Sequence, residues 1–328
     1  MTLHERDLRR KPRRGWLWFP WLLALAVAGG WSGYWFWLKN EAAVRMDAGA
    51  QALRAAGYEV AWQNRTISGF PFRLDINVTE ARIAEPSGWA LAFPSLKTEA
   101  YAYRLDHWVA VAPQGAVMTR PYGGPVAIRG QALRASLAGL DQRPPRISVE
   151  GHGLTFTPGP GARPFMLQSA ERLELHLRPG PDDQGAVLLK VDGARARLPG
   201  LLQRIAEDRP VAITWDMVLS KMSGLRGSDW RSSARNWSTA GGTATVRQAT
   251  LQAGPAVLVA KSGALTVGPD GRVQGSLDVD LRQAKDALNA MSGGLIPSGF
   301  GFAQATLTFA GGQTVLGPLP IAPAPRVY

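Results

Sequence analysis

The chain has 328 residues, a formal charge of +12, 45% hydrophobic and 19% charged residues, and no cysteine. That apolar share excludes a disordered chain and allows one large or two moderate domains with a real core. The missing cysteines exclude disulfides, thiolate metal sites and thiol nucleophiles. Of the 37 basic residues 30 are Arg, which suits bidentate contacts with carboxylates and phosphates. The Ala, Gly and Arg bias of a GC-rich genome explains the same count.

Residues 1–15 form a basic tail, in which Arg6, Arg9, Arg10, Lys11, Arg13 and Arg14 outweigh Glu5 and Asp7. Residues 16–38 follow without a single charged side chain. As a helix they would reach about 35 Å, enough to cross a hydrocarbon core of about 30 Å. Trp16, Trp18 and Trp21 mark one end, and Trp31, Tyr34, Trp35 and Trp37 the other, where indole rings favour the headgroup level. The segment therefore reads as a membrane anchor. The basic tail before it, against the nearly balanced residues after it, places the N-terminus in the cytoplasm and the rest across the membrane, in a single pass. A cleaved signal peptide is the competing reading, because Ala26-Val27-Ala28 matches a small-x-small pattern and would leave Gly29 as the first residue.

Over residues 39–57 the spacing of Ala43, Met46, Ala50 and Leu53 predicts an amphipathic helix continuing the anchor, with Gly57 at its C-cap. The period then changes to two. Phe70, Phe72, Leu74, Ile76 and Val78 alternate with Pro71, Arg73, Asp75, Asn77 and Thr79, the pattern of a half-buried strand. Its parity slips after Glu80, which predicts a bulge or strand end there. Leu173, Leu175 and Leu177 followed by Val187, Leu189 and Val191 predict a hairpin, and Ile213, Trp215, Met217 and Leu219 another strand. Trp230 and Trp237 lie in a polar stretch of no clear period. Leu265 and Val267, the turn at residues 268–271, and Val273 onward predict a second hairpin. Short helices are expected over 200–207 and 283–291. Phe300, Phe302, Leu307 and Phe309, a turn at Gly311-Gly312 and Val315 suggest closing strands, while the Pro-rich tail cannot be an interior one.

The expectation is a mainly β fold with short helices. An N-terminal transmembrane helix precedes an elongated, mostly antiparallel sheet domain over residues 58–328, with two similar lobes meeting near 199–210 as an option. The chemistry in it is sparse. His4, His107, His152 and His176 show no ligand spacing, and no nucleophile elbow, Walker loop or dinucleotide fingerprint is present. Asp278 and Asp280 share the solvated face of a strand, and Asp182-Asp183 is turn chemistry. No catalytic residue, metal or cofactor is assigned, and no enzyme is expected. Despite a pI near 10.5 the charges are scattered, so no nucleic-acid partner is expected either.

The tryptophan-rich anchor, residues 69–75 (GFPFRLD), Asp270-Gly271 leading into residues 275–278 (GSLD), and the closing residues 317–320 (GPLP) resemble the bacterial domain-of-unknown-function family 2125. That resemblance implies an alphaproteobacterial envelope protein without an assigned activity. The layout, a membrane helix and then a long run of strands, is similar to that of AsmA-like proteins, whose apolar β grooves are linked to lipid movement between membranes. The expected function is binding of a membrane lipid or other apolar envelope component in a β groove. Phe70, Phe72, Leu74, Ile76 and Val78 are its candidate lining and Arg73 a candidate headgroup contact. The alternative is a scaffold whose sheet edge or Pro-rich tail docks another envelope protein.

Overall fold

In the computed structural model, which describes residues 14–198, 203, 206, 209–254, 256–282 and 304–328, the apolar run and the amphipathic segment are one element. A 3-10 turn at Arg14–Trp18 enters helix α1, Phe19–Ala55, with Pro20 in the first turn, where no intrahelical donor is lost. Gly57, at φ +90°, closes the helix. The N–H of Tyr58 donates to the Leu53 carbonyl and that of Gly57 to the Arg54 carbonyl, both at 3.0 Å. This is a Schellman cap, and the expected glycine occupies its left-handed position.

At about 1.5 Å per residue α1 runs for about 55 Å, and its two halves meet different surroundings. Residues 16–30 are exposed on every side. From Trp31 onward a stripe of Trp31, Trp35, Leu38, Ala42 and Met46 packs on the sheet. The expected stripe through Ala43 and Leu53 is slightly rotated, leaving Leu53 exposed. Among the described residues no helix is long and apolar enough, by mean hydropathy, to cross a membrane. Pro20, Ser32, Gly29, Gly30 and Gly33 dilute the aliphatic run that the sequence suggested as a complete span.

Eighteen strands follow among the described residues, all paired antiparallel. β1 (Glu59–Ala61) and β2 (Asn64–Ser68) lie along one side of β3 (Arg73–Ala84), and β4 (Ala90–Tyr101) along the other. β4 forks to β5 (Arg104–Val111) and β6 (Ala116–Arg120). β6 continues to β7 (Gly124–Arg129) and β5 to β8 (Ala132–Ala138), and both branches rejoin at β9 (Arg146–Pro158). A simple meander takes over from there. It runs through β10 (Leu167–Pro179), β11 (Gly185–Ala196), β12 (Val211–Leu219), β13 (Ala244–Ala253) and β14 (Ala256–Val267). β15 (Val273–Arg282), β16 (Gln304–Ala310), β17 (Gln313–Leu316) and β18 (Leu319–Pro323) complete it. β11 and β12 flank the optional lobe boundary and pair directly, so the ladder is unbroken there.

Both expected hairpins are present, as β10–β11 and β14–β15. Glu80 has a positive φ of 49°, and it separates the part of β3 that pairs with β2 from the part that pairs with β1. The polar stretch around Trp230 is a helix, α2 (Trp230–Thr239). Asp229 caps it by accepting the Ser232 N–H at 2.7 Å, while Ser232 Oγ accepts the Asp229 N–H at 3.1 Å. α2 joins distant parts of the sheet. The Trp230 backbone donates to Glu85, its indole to the Val327 carbonyl, and Arg231 to the Tyr122 hydroxyl. The helix expected over 200–207 lies mostly outside the described residues; the one over 283–291, and Phe300 and Phe302, lie wholly outside them.

One register expectation is corrected. Phe70 and Phe72 do not belong to the strand that carries Leu74, Ile76 and Val78, because β3 begins only at Arg73. Pro71 has no N–H for a ladder bond, and Gly69 takes φ +102° to turn the chain, with the Arg73 N–H donating to its carbonyl at 2.8 Å. The two phenylalanines therefore stand on a turn, 51% and 60% exposed.

Candidate functional site

Following the pairing from strand to strand exposes a feature that no single strand shows. Ile76 on β3 faces Thr98 on β4, then Ala110 on β5, Ala135 on β8, Val149 on β9 and Leu175 on β10. The row continues through Leu189 on β11, Trp215 on β12, Ala249 on β13, Ala260 on β14, Val279 on β15 and Ala305 on β16. Only Thr98 among these twelve is polar, and its hydroxyl donates to the Ile76 carbonyl. A second row on the same face runs from Trp108 through Leu137, Ile147, Leu177, Val187, Met217, Val246, Gly263 and Leu277 to Leu307 and Leu316. Paired residues in a sheet point to the same side, so the face is apolar across its whole width.

Two irregularities keep it in phase. Between Asp216 and Met217 the register with β13 shifts, and Arg247 and Gln248 both turn outward. Between Ala260 and Ser262 the register with β15 shifts, and Lys261 and Ser262 do the same. A bulge spends one extra residue to restore the alternation that follows it. The opposite face is polar in its matching row, where Arg134, Glu150, Glu174, Lys190 and Thr214 stand in register. Arg134 holds Glu150 at 2.5 Å, and that hydrogen bond keeps the Glu150 carboxyl below its ordinary range. His176 lies on this polar side, 2.9 Å from Ser148 Oγ.

Burial along the apolar face is uneven. At one end α1 covers Leu74, Ile76 and Val78, and at the other Val246, Ala249, Ala260, Leu277 and Val279 are buried with Phe309, Leu316 and Ile321. In between, on β8 to β12, Leu137, Ile147, Val149, Leu189 and Trp215 are only half-buried and Leu175 is 38% exposed. Three apolar cavities open onto the face among the described residues. One, of about 410 Å³, lies between α1 and β3–β5, with Tyr34, Trp37, Leu38 and Met46 on the helix side and Leu74, Ile76, Leu105 and Trp108 on the other. The second, of about 260 Å³, is lined by Trp215, Leu251, Leu258, Leu277 and Phe309 beneath the C-terminal Ile321, Pro323 and Pro325. The third, also of about 260 Å³, lies between Trp215, Met217 and Leu265 on the sheet and Trp230, Ala234 and Trp237 of α2.

The candidate lining residues thus divide. Leu74 and Ile76 line the helix-side cavity, Val78 is core beside them, and Phe70 and Phe72 pack on α1 outside it. Phe70 meets Trp35 edge-on at 5.4 Å and stacks on Phe36 at 5.9 Å, while Phe72 lies 6.3 Å from Trp31. Three hydrogen bonds fix the helix to these turns: the Trp31 indole to the Pro71 carbonyl, the Trp35 indole to the Arg73 carbonyl, both 2.8 Å, and the Tyr34 hydroxyl to the Ala102 carbonyl, 3.1 Å. Beside Ala102, Tyr101 and Tyr103 stack on each other, exposed. The six anchor tryptophans split accordingly: Trp16, Trp18, Trp21 and Trp37 are exposed, Trp31 is half-buried and Trp35 is buried.

Arg73 follows Phe72 directly. Its guanidinium reaches Asp75 at 2.8 Å and Glu99 at 3.4 Å and stays half exposed; the hydrogen bond to Asp75, then the two carboxylate charges, push its pKa up. The residues that sequence reasoning missed are those of the middle of the face, above all Leu175, Leu189 and Trp215. Their alternation was legible, but their alignment across strands depends on pairing.

Fold and site together define a mainly β protein: one long N-terminal helix, then an antiparallel sheet, of 18 strands among the described residues, with an apolar face. The chain belongs to the bacterial family described as uncharacterized protein conserved in bacteria (DUF2125), whose model matches residues 35–325. The match starts at Trp35, where α1 becomes buried against the sheet. No curated protein and no solved structure matches the chain.

Proposed function

We propose that this chain is a bacterial envelope protein that holds a lipid or another apolar envelope component on its apolar sheet face, without chemical conversion. The observation that carries this reading is the apolar register from β3 to β16, interrupted only at Thr98 and no more than half-buried in its middle. A monomer seldom leaves so wide an apolar surface unoccupied. An acyl chain placing ten methylenes there would gain about 8 kcal/mol before costs, at about 0.8 kcal/mol each. Arg73, shared with Asp75 and Glu99, would offer an anionic headgroup one charge-assisted contact at the helix end.

In the same reading residues 16–38 attach the chain to the inner membrane, N-terminus in the cytoplasm and sheet in the periplasm. Mean hydropathy counts Trp, Tyr and Gly against a span, yet indole and phenol rings are favoured at the interface. The outward display of Leu22, Leu23, Leu25 and Val27 has no covering element among the described residues. Extraction of the full chain in mild detergent, followed by lipid mass spectrometry, tests the binding: reproducible enrichment of one lipid class supports it, and a chain that emerges empty refutes it.

A scaffold role is the second reading. It draws on β18, which pairs only with β17 among the described residues and leaves a free edge beside the Pro-rich tail. Crosslinking in membranes that recovers one protein at stoichiometric yield, from an otherwise lipid-free chain, would favour it.

A further inference from the structure

The freely exposed helical stretch, residues 16–30, made of the end of the 3-10 turn and the first turns of α1, is about 22 Å long. A hydrocarbon core is about 30 Å thick, so the apolar depth has to be completed beyond Gly30. At that level the surface is no longer helix alone. The Trp31, Tyr34 and Trp35 hydrogen bonds draw residues 69–72 and 101–103 against the helix. Phe70, Phe72, Tyr101 and Tyr103 are each more than half exposed there, beside the exposed Phe36 and Trp37 of α1.

We propose that these two turns insert into the membrane interface next to α1, so that the bilayer seats the sheet domain itself through an aromatic collar. The inference rests on the membrane attachment proposed above and adds its depth and orientation. Three features single out a bilayer as the occupant. The collar is continuous with the exposed apolar length of the helix. Its exposed members are largely Trp, Tyr and Phe, with the amphipathic Trp and Tyr that belong at the headgroup level among them. Charge begins directly beyond it, with Lys39 on the helix, Arg73 and Asp75 on β3 and Arg104 on β5. The next turns along the same sheet end, residues 139–145 with Leu140, Asp141 and Arg143 and then residues 180–184 with Asp182 and Asp183, carry no aromatic ring, so the aromatic feature is local to the helix. It also brings the helix-side cavity, whose lining starts at Tyr34 and Trp37, to the bilayer surface.

The absence of cysteine gives a direct test. The full chain carrying Val27→Cys, Phe72→Cys, Tyr103→Cys or Asp182→Cys is labelled with a nitroxide and placed in phosphatidylethanolamine–phosphatidylglycerol bilayers. Power-saturation spin resonance then compares access of oxygen with that of a water-soluble nickel complex. All four sites are exposed, so the fold tolerates the labels, and circular dichroism checks it. Labels at 72 and 103 should be several-fold more oxygen-biased than at 182 and shallower than at 27. Labels at 72 and 103 that match 182, while 27 is lipid-exposed, overturn the collar and leave the attachment standing. Exclusion of both reagents at 72 and 103 would mark a protein cover and also overturn it. A water-exposed label at 27 would remove the attachment itself, and the collar with it.

Discussion

Replacing Trp35 separates docking of α1 from mere proximity. Trp35 is 3% exposed, its indole N–H lies 2.8 Å from the Arg73 carbonyl, and its ring meets both Phe36 and Phe70 edge-on. Truncating a buried tryptophan to alanine costs about 3–5 kcal/mol, from lost transfer energy and the cavity left behind. Trp35→Phe keeps most of the ring but removes the donor from the Arg73 carbonyl, at a cost of about 1–2 kcal/mol. Trp37, two residues on and 56% exposed, provides the control. Trp37→Ala should change stability by about 0.5 kcal/mol or less in the absence of a bilayer. Urea unfolding of the full chain in mild detergent, followed by near-ultraviolet circular dichroism, ranks the three variants. The expected order is Trp35→Ala, Trp35→Phe, Trp37→Ala, from least to most stable. If Trp35→Ala unfolds at the same urea concentration as Trp37→Ala, α1 does not belong to the folded core and the helix-side cavity is not a built feature.

Other consequences follow from the same geometry. Gly57→Ala should lose about 1–2 kcal/mol in thermal unfolding, since an L side chain is strained at φ +90° and its Cβ would meet Pro86 Cγ at 3.3 Å. Asp229→Ala should lose about 1 kcal/mol by uncapping α2. The Ser232 N–H, against a smaller cost of burial, holds the Asp229 carboxyl below its ordinary 3.8. A depressed carboxylate stabilises the fold above its unfolded pKa and stops doing so as pH falls through the lower folded value. Unfolding followed from neutral pH to below 3.8 should therefore show an acid-side loss that is smaller in Asp229→Ala; identical acid limbs would contradict the cap's role.

What the sequence made legible was local. Half-buried antiparallel strands leave a two-residue period, so β10, β11, β14 and β15 and their turns could be read directly. The helix cap could be read from one glycine. Three things escaped for identifiable reasons. α2 is built from Ser, Arg, Asn and Thr, which carry little helical signal, and it holds its place through Asp229 and long-range contacts from Trp230. Phe70 and Phe72 kept the parity of β3, but Pro71 ends the ladder before them. Above all, the apolar face is a property of register. Leu175, Leu189 and Trp215 lie far apart in the chain, and only the pairing of β10, β11 and β12 places them in one row.

Native mass spectrometry of the full chain extracted from membranes tests the central claim most directly. It should be run on the unaltered protein, on Leu175→Asp at the exposed middle of the apolar face, and on Lys190→Asp on the polar face. Leu175 is 38% exposed, so its substitution should cost about 1–2 kcal/mol in stability, and circular dichroism of the extracted variant checks that it stays folded. Near-stoichiometric lipid on the unaltered chain and on Lys190→Asp, with a several-fold loss on Leu175→Asp, is the predicted result. Equal lipid on all three, or none on any, would contradict a lipid-holding sheet face.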